Sequence, residues 1–224
     1  MIGDVLLLKV GHDKAAKRIM DIILKHPKLN ENRKFIVAIS GESGAGKSEV
    51  SHRLAEFAST YNLSAKILHI DNYYNIPAHL RNDWRKKKGQ KSIGAHEYNW
   101  GMINQNILDF KHGNASILPC IDRLTGQADT LITNFRSINI LIIEGLYAIR
   151  AKADLKVYID LTYHETKTAQ IKRRKEVLNE SRVWVLEGEH KALSSLKQEA
   201  NYVITKSFNL IPASKWEYSN IGLT

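Results

Sequence analysis

Apolar residues in this chain follow two patterns: short unbroken runs, and longer stretches in which they recur at helical spacing. Unbroken runs rich in β-branched residues are typical of strands buried on both faces of a sheet. Such a run predicts a strand at residues 35–39, and mainly apolar segments predict further strands at residues 65–70, 138–143, 155–160 and 202–204. Helices are predicted at residues 101–110, 164–180 and 192–199. Because strands alternate with helices, we expect an α/β fold in which a parallel sheet carries helices on both faces.

The segments between these elements have distinct patterns of their own. Residues 1–34 are predicted to form a short strand and a helix that ends at Pro27, which either brace the sheet or build a subunit contact. The apolar face of that helix consists of Ala15, Ile19, Ile22 and Ile23. Residues 72–100 are polar and basic, and they predict an irregular insert over a site, because long loops in compact domains are usually functional. Residues 114–137 have the pattern of a polar hairpin.

Composition narrows the class of protein. The chain has 224 residues, of which 43% are hydrophobic and 25% charged, so residues 1–224 are expected to form a single globular domain. No run approaches the ~20 apolar residues of a membrane span, and no membrane partner is expected. The amino-terminal residues lack the pattern of a signal peptide. Cys120 is the only cysteine, which excludes an internal disulfide and a cysteine metal cluster, so we expect a cytoplasmic protein.

The formal net charge is +10, and basic residues concentrate at residues 81–91 and 172–175. Binding of nucleic acid, binding of a polyanionic nucleotide and simple solubility would each explain such a charge. Neither basic segment contains an aromatic RNA-binding pattern or a zinc-finger spacing. We therefore favour phosphate handling over a nucleic-acid partner, and a homo-oligomer stays open.

The most specific motif follows the first core strand and matches G-x-x-x-x-G-K-[S/T], the phosphate-binding loop. Its residues are Gly41, Glu42, Ser43, Gly44, Ala45, Gly46, Lys47 and Ser48. The glycines let backbone N–H groups approach phosphate oxygens, and Lys47 supplies a charge for the β- and γ-phosphates. The Ser48 hydroxyl can bind Mg²⁺. Apolar residues at helical spacing follow the loop, so the motif has the strand and the helix that it needs.

Two acidic residues stand at predicted strand ends. Asp71 follows the strand at 65–70, and Glu144 follows the strand at 138–143. Ligands of open parallel sheets lie beyond the carboxyl ends of the strands. Phosphoryl transfer needs a carboxylate near Mg²⁺ and another that accepts the proton of the attacking hydroxyl, so these two acids are candidates for those roles.

Four segments together resemble one known family. The loop at 41–48, Asp71-Asn72-Tyr73-Tyr74, Pro119-Cys120-Ile121-Asp122 and Ile143-Glu144-Gly145-Leu146 occur in the order and spacing of the uridine kinase and phosphoribulokinase family. The resemblance covers about residues 35–205. It implies a P-loop kinase fold that uses ATP and Mg²⁺ to phosphorylate a hydroxyl of a small molecule, often the 5′-hydroxyl of a nucleoside.

The resemblance also implies roles for individual residues. Asp71 matches the catalytic base of the family, and Lys47 matches its phosphate lysine. Ser48 and Glu144 match the Mg²⁺ positions. Arg173 and Arg174 lie where the family has a basic lid, which we place at residues 164–182. Lid cations can neutralise charge on the transferring phosphoryl group.

The acceptor side matches the family less well. Asn99 stands where uridine kinases have an Asp that holds ribose hydroxyls, and Ile121 stands where they have a Tyr beside the pyrimidine. The family's His nearby has no counterpart among residues 124–126. Tyr74, Asn99 and Asp122 are the remaining candidates for acceptor contacts.

Three functions stay open on this basis. The first is phosphorylation of a nucleoside such as uridine. The second is phosphorylation of a non-nucleoside metabolite, such as a sugar or a pantothenate-like alcohol. The third is a nucleotide-binding protein without catalysis.

Overall fold

The structure is a computed structural model that describes residues 5–32, 34–122, 124–173 and 179–216. Its strands are β1 (Phe35–Gly41), β2 (Ala65–His69), β3 (Ala115–Ile121), β4 (Ala128–Asn134), β5 (Ile140–Glu144), β6 (Leu155–Ile159), β7 (Tyr202–Ile204) and β8 (Leu210–Pro212). Its numbered α-helices are α1 (Val10–Lys25), α2 (Pro27–Asn32), α3 (Lys47–Thr60), α4 (Ala78–Lys88), α5 (Trp100–His112), α6 (Lys167–Arg173) and α7 (Glu180–Ser194).

Six strands form the central sheet in the order β2-β5-β1-β6-β7-β8. The first five are parallel to their neighbours, and only β8 is antiparallel. β1 therefore lies inside the sheet with β5 on one side and β6 on the other. The predicted parallel sheet is confirmed, with one antiparallel edge strand, β8, that the sequence pattern did not predict.

Alternate residues of β1 point into two separate cores, one on each face of the sheet. Ile36 and Ala38 belong to a core that includes apolar residues of α5 and α7. Phe35, Val37 and Ile39 belong to a core with α1 and α3. Helices thus cover both faces, as predicted, and the unbroken apolar run of β1 follows from burial on both sides.

The start of the described chain differs from the prediction. Residues 5–9 form no strand, and α1 follows them directly. Three residues of its predicted apolar face are fully buried, namely Ala15, Ile19 and Ile23, whereas Ile22 is partly exposed. Pro27 ends α1 as predicted, but it also begins α2, because proline suits the first position of a helix.

The prediction of an irregular insert at 72–100 is wrong in part, since it contains the 11-residue helix α4. Only Arg85 of this helix is buried, so it has no apolar stripe that the sequence pattern could reveal. The single helix predicted at 164–180 is also wrong. Helix α6 begins at Lys167, and Asn179 has extended backbone and accepts a hydrogen bond from the Arg182 N–H as the N-cap of α7.

The polar hairpin is confirmed as a separate two-stranded sheet of β3 and β4. It stands beside the outer edge of β2, and residues of both form the walls of a cavity of about 260 Å³. No helix in the described part of the chain is long and apolar enough to cross a membrane.

Candidate active site

The phosphate loop connects the end of β1 to the start of α3. The ammonium group of Lys47 reaches back across the loop and donates to the carbonyl oxygen of Glu42 at 2.9 Å. The N–H of Ala45 donates to the same oxygen at 3.2 Å. The loop therefore curls over the amino end of α3, where free N–H groups and the helix dipole favour an anion.

Helix α6 and the segment before it hold this loop from one side. Thr166 Oγ1 donates to the Ser43 carbonyl at 2.7 Å, and Gln170 Nε2 donates to it at 3.3 Å. Gly44 has φ +80°, and a Cβ there would lie 2.8 Å from Gln170 Cγ and 2.9 Å from Thr166 Oγ1. Only glycine fits this contact, because any side chain at position 44 would push α6 away from the loop.

Glu42 ties the loop to a second pair of segments, although its side chain is only 3% exposed. Its Oε2 accepts the backbone N–H of Tyr163 at 2.7 Å, and its Oε1 lies 2.7 Å from His190 Nδ1. From the same helix α7, Arg182 Nη2 donates to Ser43 Oγ at 3.4 Å. A buried carboxylate needs such partners, and they attach α7 to the phosphate loop.

Glu144 faces the loop from the end of β5. Strand register sets it beside Ile39 of β1 and beside His69 of β2. Ser48 Oγ donates to Glu144 Oε1 at 3.4 Å, and His69 Nδ1 lies 2.5 Å from the same oxygen. The glutamate is buried, so it is held in place between the phosphate loop and β2.

The two acid-bearing strand ends are joined by a close contact between Ile70 and Gly145. Gly145 has φ +149°, and a Cβ there would lie 2.2 Å from Ile70 Cγ1. The residue after Glu144 must therefore be glycine for the residue before Asp71 to pack in place. This contact gives the Glu-Gly pair of the sequence a structural reason, and it sets Asp71 beside the glutamate strand end.

Asp71 lies on a short 3₁₀ turn over residues 70–73, and its side chain is exposed. Tyr98 OH donates to Asp71 Oδ1 at 3.4 Å and lies 2.6 Å from Tyr74 OH. Burial raises the pKa of both tyrosines above the ordinary value. Both hydroxyls are therefore neutral near pH 7, and that of Tyr98 can hold the Asp71 carboxylate by hydrogen bonding.

Helix α4 covers Tyr74 with two arginines. Arg81 Cζ lies 3.3 Å from the centroid of the Tyr74 ring, and Arg85 Cζ lies 6.0 Å from it. The buried Arg85 guanidinium binds both carboxylate oxygens of Glu97, at 2.7 and 2.9 Å. That ion pair fixes α4 over the site, and Tyr74 is the sequence candidate that the structure joins to Asp71.

The other two candidates for acceptor contacts, Asn99 and Asp122, accept hydrogen bonds from backbone N–H groups. Asn99 Oδ1 accepts the backbone N–H of Met102 at 3.0 Å, so it is the N-cap of α5. Asp122 Oδ1 accepts the N–H groups of Leu124 and Thr125, at 2.8 and 3.3 Å, in the turn of the hairpin. The sequence predicts that these residues contact the acceptor. Short polar side chains at the start of a helix or in a turn are, however, equally typical of capping.

The structure describes only part of the two arginines that were predicted to act as lid cations. Arg173 is the last residue of α6, but its side chain and all of Arg174 lie outside the described part of the chain. Sequence reasoning singled out neither Arg182, which contacts the loop, nor His69, which contacts Glu144. The strand register would have revealed His69, because both it and Glu144 end neighbouring strands.

A cavity of about 300 Å³ flanks the phosphate loop. The loop contributes Gly44, Ala45 and Gly46 to its wall, and α6 contributes Thr168. Both ends of the described chain also line it, with Leu7, Lys9 and His12 from the first and Lys206 and Phe208 from the second. A space of this size next to the loop suits the nucleoside part of a nucleotide.

Known proteins share this architecture. Uridine kinase of Staphylococcus aureus (strain JH9) is 26% identical over 130 residues, which are 56% of this chain and 61% of that protein. The chain thus spans about three fifths of the length of the curated relatives it matches. A possible uridine kinase from Bacillus stearothermophilus has a TM-score of 0.56 at 18% identity and covers 84% of this chain and 96% of its own. D-glycerate 3-kinase from Cryptococcus neoformans has a TM-score of 0.60 at 9% identity, over 88% and 97%.

A match to a family model identifies the family of this chain. The model of the Phosphoribulokinase / Uridine kinase family matches residues 36–174. That range is more than half of the chain, and it contains the phosphate loop, Asp71, the hairpin and Glu144. The chain therefore belongs to the phosphoribulokinase / uridine kinase family.

Proposed function

We propose that this chain is an ATP-dependent phosphotransferase that moves a phosphoryl group to a hydroxyl of a small molecule. Family membership supports this reaction class. The observation that carries it is the contact between Ile70 and Gly145, because it sets the Asp71 turn beside the end of the Glu144 strand. A candidate base and the phosphate loop then lie at the ends of β2 and β1, on either side of β5 in the same sheet, where ligands of such folds bind.

In this proposal the phosphates of ATP lie on residues 41–48. The amino end of α3 and the Lys47 ammonium offset their negative charge. The nucleoside part lies in the cavity of about 300 Å³ that Gly44–Gly46 border. The bonds from Thr166, Gln170 and Arg182 to Ser43 keep the loop in one shape before the nucleotide binds.

The residues at the loop fit a magnesium ion. Adjacent oxygen ligands of octahedral Mg²⁺ are about 2.9 Å apart, given metal–oxygen distances of roughly 2.0–2.1 Å. Ser48 Oγ and Glu144 Oε1 are 3.4 Å apart, so a small movement would let both contact one ion or its bound waters. Mg²⁺ bound with ATP supplies charge neutralisation on the phosphate oxygens.

The chemistry left to the protein is positioning and proton transfer. The acceptor oxygen bonds to the γ-phosphorus as the bond from that phosphorus to the bridging oxygen breaks and ADP leaves. Asp71 takes the proton of the acceptor hydroxyl. Tyr98 holds one carboxylate oxygen of Asp71, which orients the other toward the acceptor. Catalysis then comes mainly from alignment of the hydroxyl with the phosphorus.

Uridine is the first acceptor to consider, because relatives that match over part of the chain are uridine kinases. A non-nucleoside acceptor is the second candidate, and a specific contact favours it. Arg81 covers the face of Tyr74, the aromatic ring joined to Asp71 through Tyr98, and a planar base cannot stack on that face while the guanidinium is there. Solved structures with this fold include a D-glycerate 3-kinase, so the fold does not restrict the acceptor to nucleosides.

The test is ADP release from purified protein with MgATP and a panel of nucleosides, sugars and carboxylate-bearing alcohols. We expect Asp71→Asn to lower acceptor-dependent turnover by ~10² or more, because a positioned base contributes about 10²–10⁴-fold. Binding of MgATP should be retained, since Asp71 is outside the phosphate loop.

Asp83→Asn is the matched control, because Asp83 is an exposed residue of α4. It should leave turnover unchanged. Near-normal turnover in Asp71→Asn would remove that residue from the base role. MgATP binding with no ADP release for any acceptor would favour the nucleotide-binding protein without catalysis.

A further inference from the structure

The helix α4 carries one arginine whose surroundings differ from those of its neighbour. Arg85 is buried, with 4% exposure, and its guanidinium forms a two-point ion pair with Glu97. Burial and a matched carboxylate are what a structural arginine requires. The ion pair of Arg85 with Glu97 therefore attaches α4 to the body of the protein. Arg81, one turn earlier on the helix, is not part of that ion pair.

Arg81 has a charge but no carboxylate within the described residues. Its Nε and Nη2 both donate to one backbone oxygen, that of Ile76, at 3.3 and 3.2 Å. A guanidinium has five N–H donors, so these bonds use two and leave three. The side chain is only partly exposed, which makes those donors costly to leave without an acceptor.

The position of Arg81 links it to the candidate base. Its guanidinium lies over the Tyr74 ring, with Cζ 3.3 Å from the ring centroid. Tyr74 OH is 2.6 Å from Tyr98 OH, which is the hydroxyl that donates to Asp71. Stacking holds the planar fork of Arg81 in one orientation while its edge stays available for hydrogen bonds.

The geometry points to an acceptor that carries an anionic group, a carboxylate or a phosphate, which binds the edge of the Arg81 guanidinium. The inference rests on the proposed phosphotransferase function, because it assigns the substrate class of that same site. Arginine is suited to this task, since its fork matches the two oxygens of a carboxylate or a phosphate. Asn99, beside Tyr98, adds no negative charge that would oppose such a group.

An anionic acceptor also fits the charges around Asp71. A negative group brought near this carboxylate would be repelled in the absence of a cation. Arg81 provides that cation, and its contact with Tyr74 links it to Asp71 through the Tyr98 hydroxyl. A neutral nucleoside would gain nothing from the guanidinium and would lose the ring face that it covers.

The experiment compares acceptors that differ only in the anionic group. Glycerate is paired with glycerol, ribose 5-phosphate with ribose, and pantothenate with pantothenyl alcohol. Each is assayed for ADP release with MgATP, and for the change in melting temperature that it causes in the presence of a non-hydrolysable ATP analogue and Mg²⁺. The full chain is compared with Arg81→Gln and with Lys87→Gln, the same loss of charge at an exposed residue of α4.

We expect at least one anionic compound to be preferred to its neutral partner, and the carboxylate and phosphate pairs identify which group is bound. Arg81→Gln should raise KM for that compound by about 10-fold to 100-fold, the range for loss of hydrogen bonds to a charged group. Its effect on the neutral partner should be much smaller. Lys87→Gln should change neither value.

Two results would overturn the inference. Equal use of anionic and neutral partners, or an equal effect of Arg81→Gln on both, would leave the phosphotransferase proposal intact and remove Arg81 from acceptor binding. If no anionic compound causes either turnover or a melting shift, the anionic site is also rejected. A melting shift that Arg81→Gln abolishes, without turnover for any acceptor, would support the anionic site and count against the phosphotransferase.

Discussion

At the scale of single residues, the side chain of Asn99 fits two interpretations: a contact with the acceptor and a cap of helix α5. The sequence resemblance predicts that Asn99 stands at the family position of a ribose-binding acid, and the structure uses its carboxamide oxygen to cap α5. Asp and Asn are nearly equal as N-caps, whereas Ala is a poor one. Substitution can therefore separate the cap from any contact with the acceptor.

We predict that Asn99→Ala lowers the free energy of unfolding by about 1 kcal/mol, which is the usual cost of a lost N-cap. For a chain of this size, that corresponds to a fall of about 2–4 °C in melting temperature. Asn99→Asp should keep the melting temperature, because its carboxylate still accepts the Met102 N–H. Differential scanning calorimetry of both variants measures the difference. Equal melting temperatures for all three proteins would contradict the capping role.

Residues of the phosphate site were easier to predict than those of the acceptor site. Lys47 and Ser48 follow from a local motif, and Glu144 follows from the end of an apolar strand. The partner of Glu144, His69, depends on the pairing of β2 with β5, which joins residues 75 positions apart. Local sequence patterns do not contain that register.

At the scale of elements, α6 is fixed to the phosphate loop by close packing on Gly44. Two hydrogen bonds to the Ser43 carbonyl accompany this packing. Any movement of α6 therefore changes the shape of the loop, and a change at Gly44 acts on both.

We predict that Gly44→Ala weakens MgATP binding by ~10-fold or more, because the new Cβ would lie within 3 Å of Gln170 Cγ on α6 and of Thr166 Oγ1 just before it, at a positive φ. Isothermal titration calorimetry with MgATP measures this. Gly126→Ala is the matched control: Gly126 also has a positive φ, +72°, but nothing lies within 4 Å of an added Cβ. Equal MgATP affinity in both variants would show that the α6 contact has no effect on the loop.

The elements that the sequence failed to predict have a common physical cause. β1, β5 and β6 were predicted because burial on both faces leaves an unbroken apolar run. Helix α4 rests on the body mainly through an ion pair, so it has no apolar periodicity. Helix α7 buries a glycine and a glutamate along with its apolar residues, which disguises its buried face.

At the scale of the whole molecule, aromatic hydroxyl groups are concentrated in the interior. Of nine tyrosines, six have pKa values that burial raises: Tyr73, Tyr74, Tyr98, Tyr147, Tyr158 and Tyr163. Ionisation of a buried tyrosine is unfavourable because the charged form loses its hydration. In the unfolded chain these groups ionise near pH 10.

These shifts predict a loss of stability in alkali. A raised pKa contributes stability that is complete below about pH 10 and declines as the pH rises further, because only the unfolded chain can then release those protons. Absorbance titration of native protein should show part of the tyrosines ionising near pH 10 and the rest only on unfolding. In denaturant, all nine should titrate together near pH 10. Full ionisation of the native protein near pH 10 would contradict the burial of these groups.

The cavity beside the phosphate loop is lined both by residues inside the range that the family model matches and by residues outside it. Gly44–Gly46 and Thr168 lie within the range that the family model matches, whereas Leu7, Lys9, His12, Lys206 and Phe208 lie outside it. The loop side of the wall thus lies within the range that the family model matches, and the residues from the two ends of the described chain lie outside it. Under the proposed function, changes in those outer segments would alter which nucleobase the cavity accepts and leave the loop residues unchanged. Choice of nucleotide and phosphoryl transfer would then be able to evolve separately in this chain.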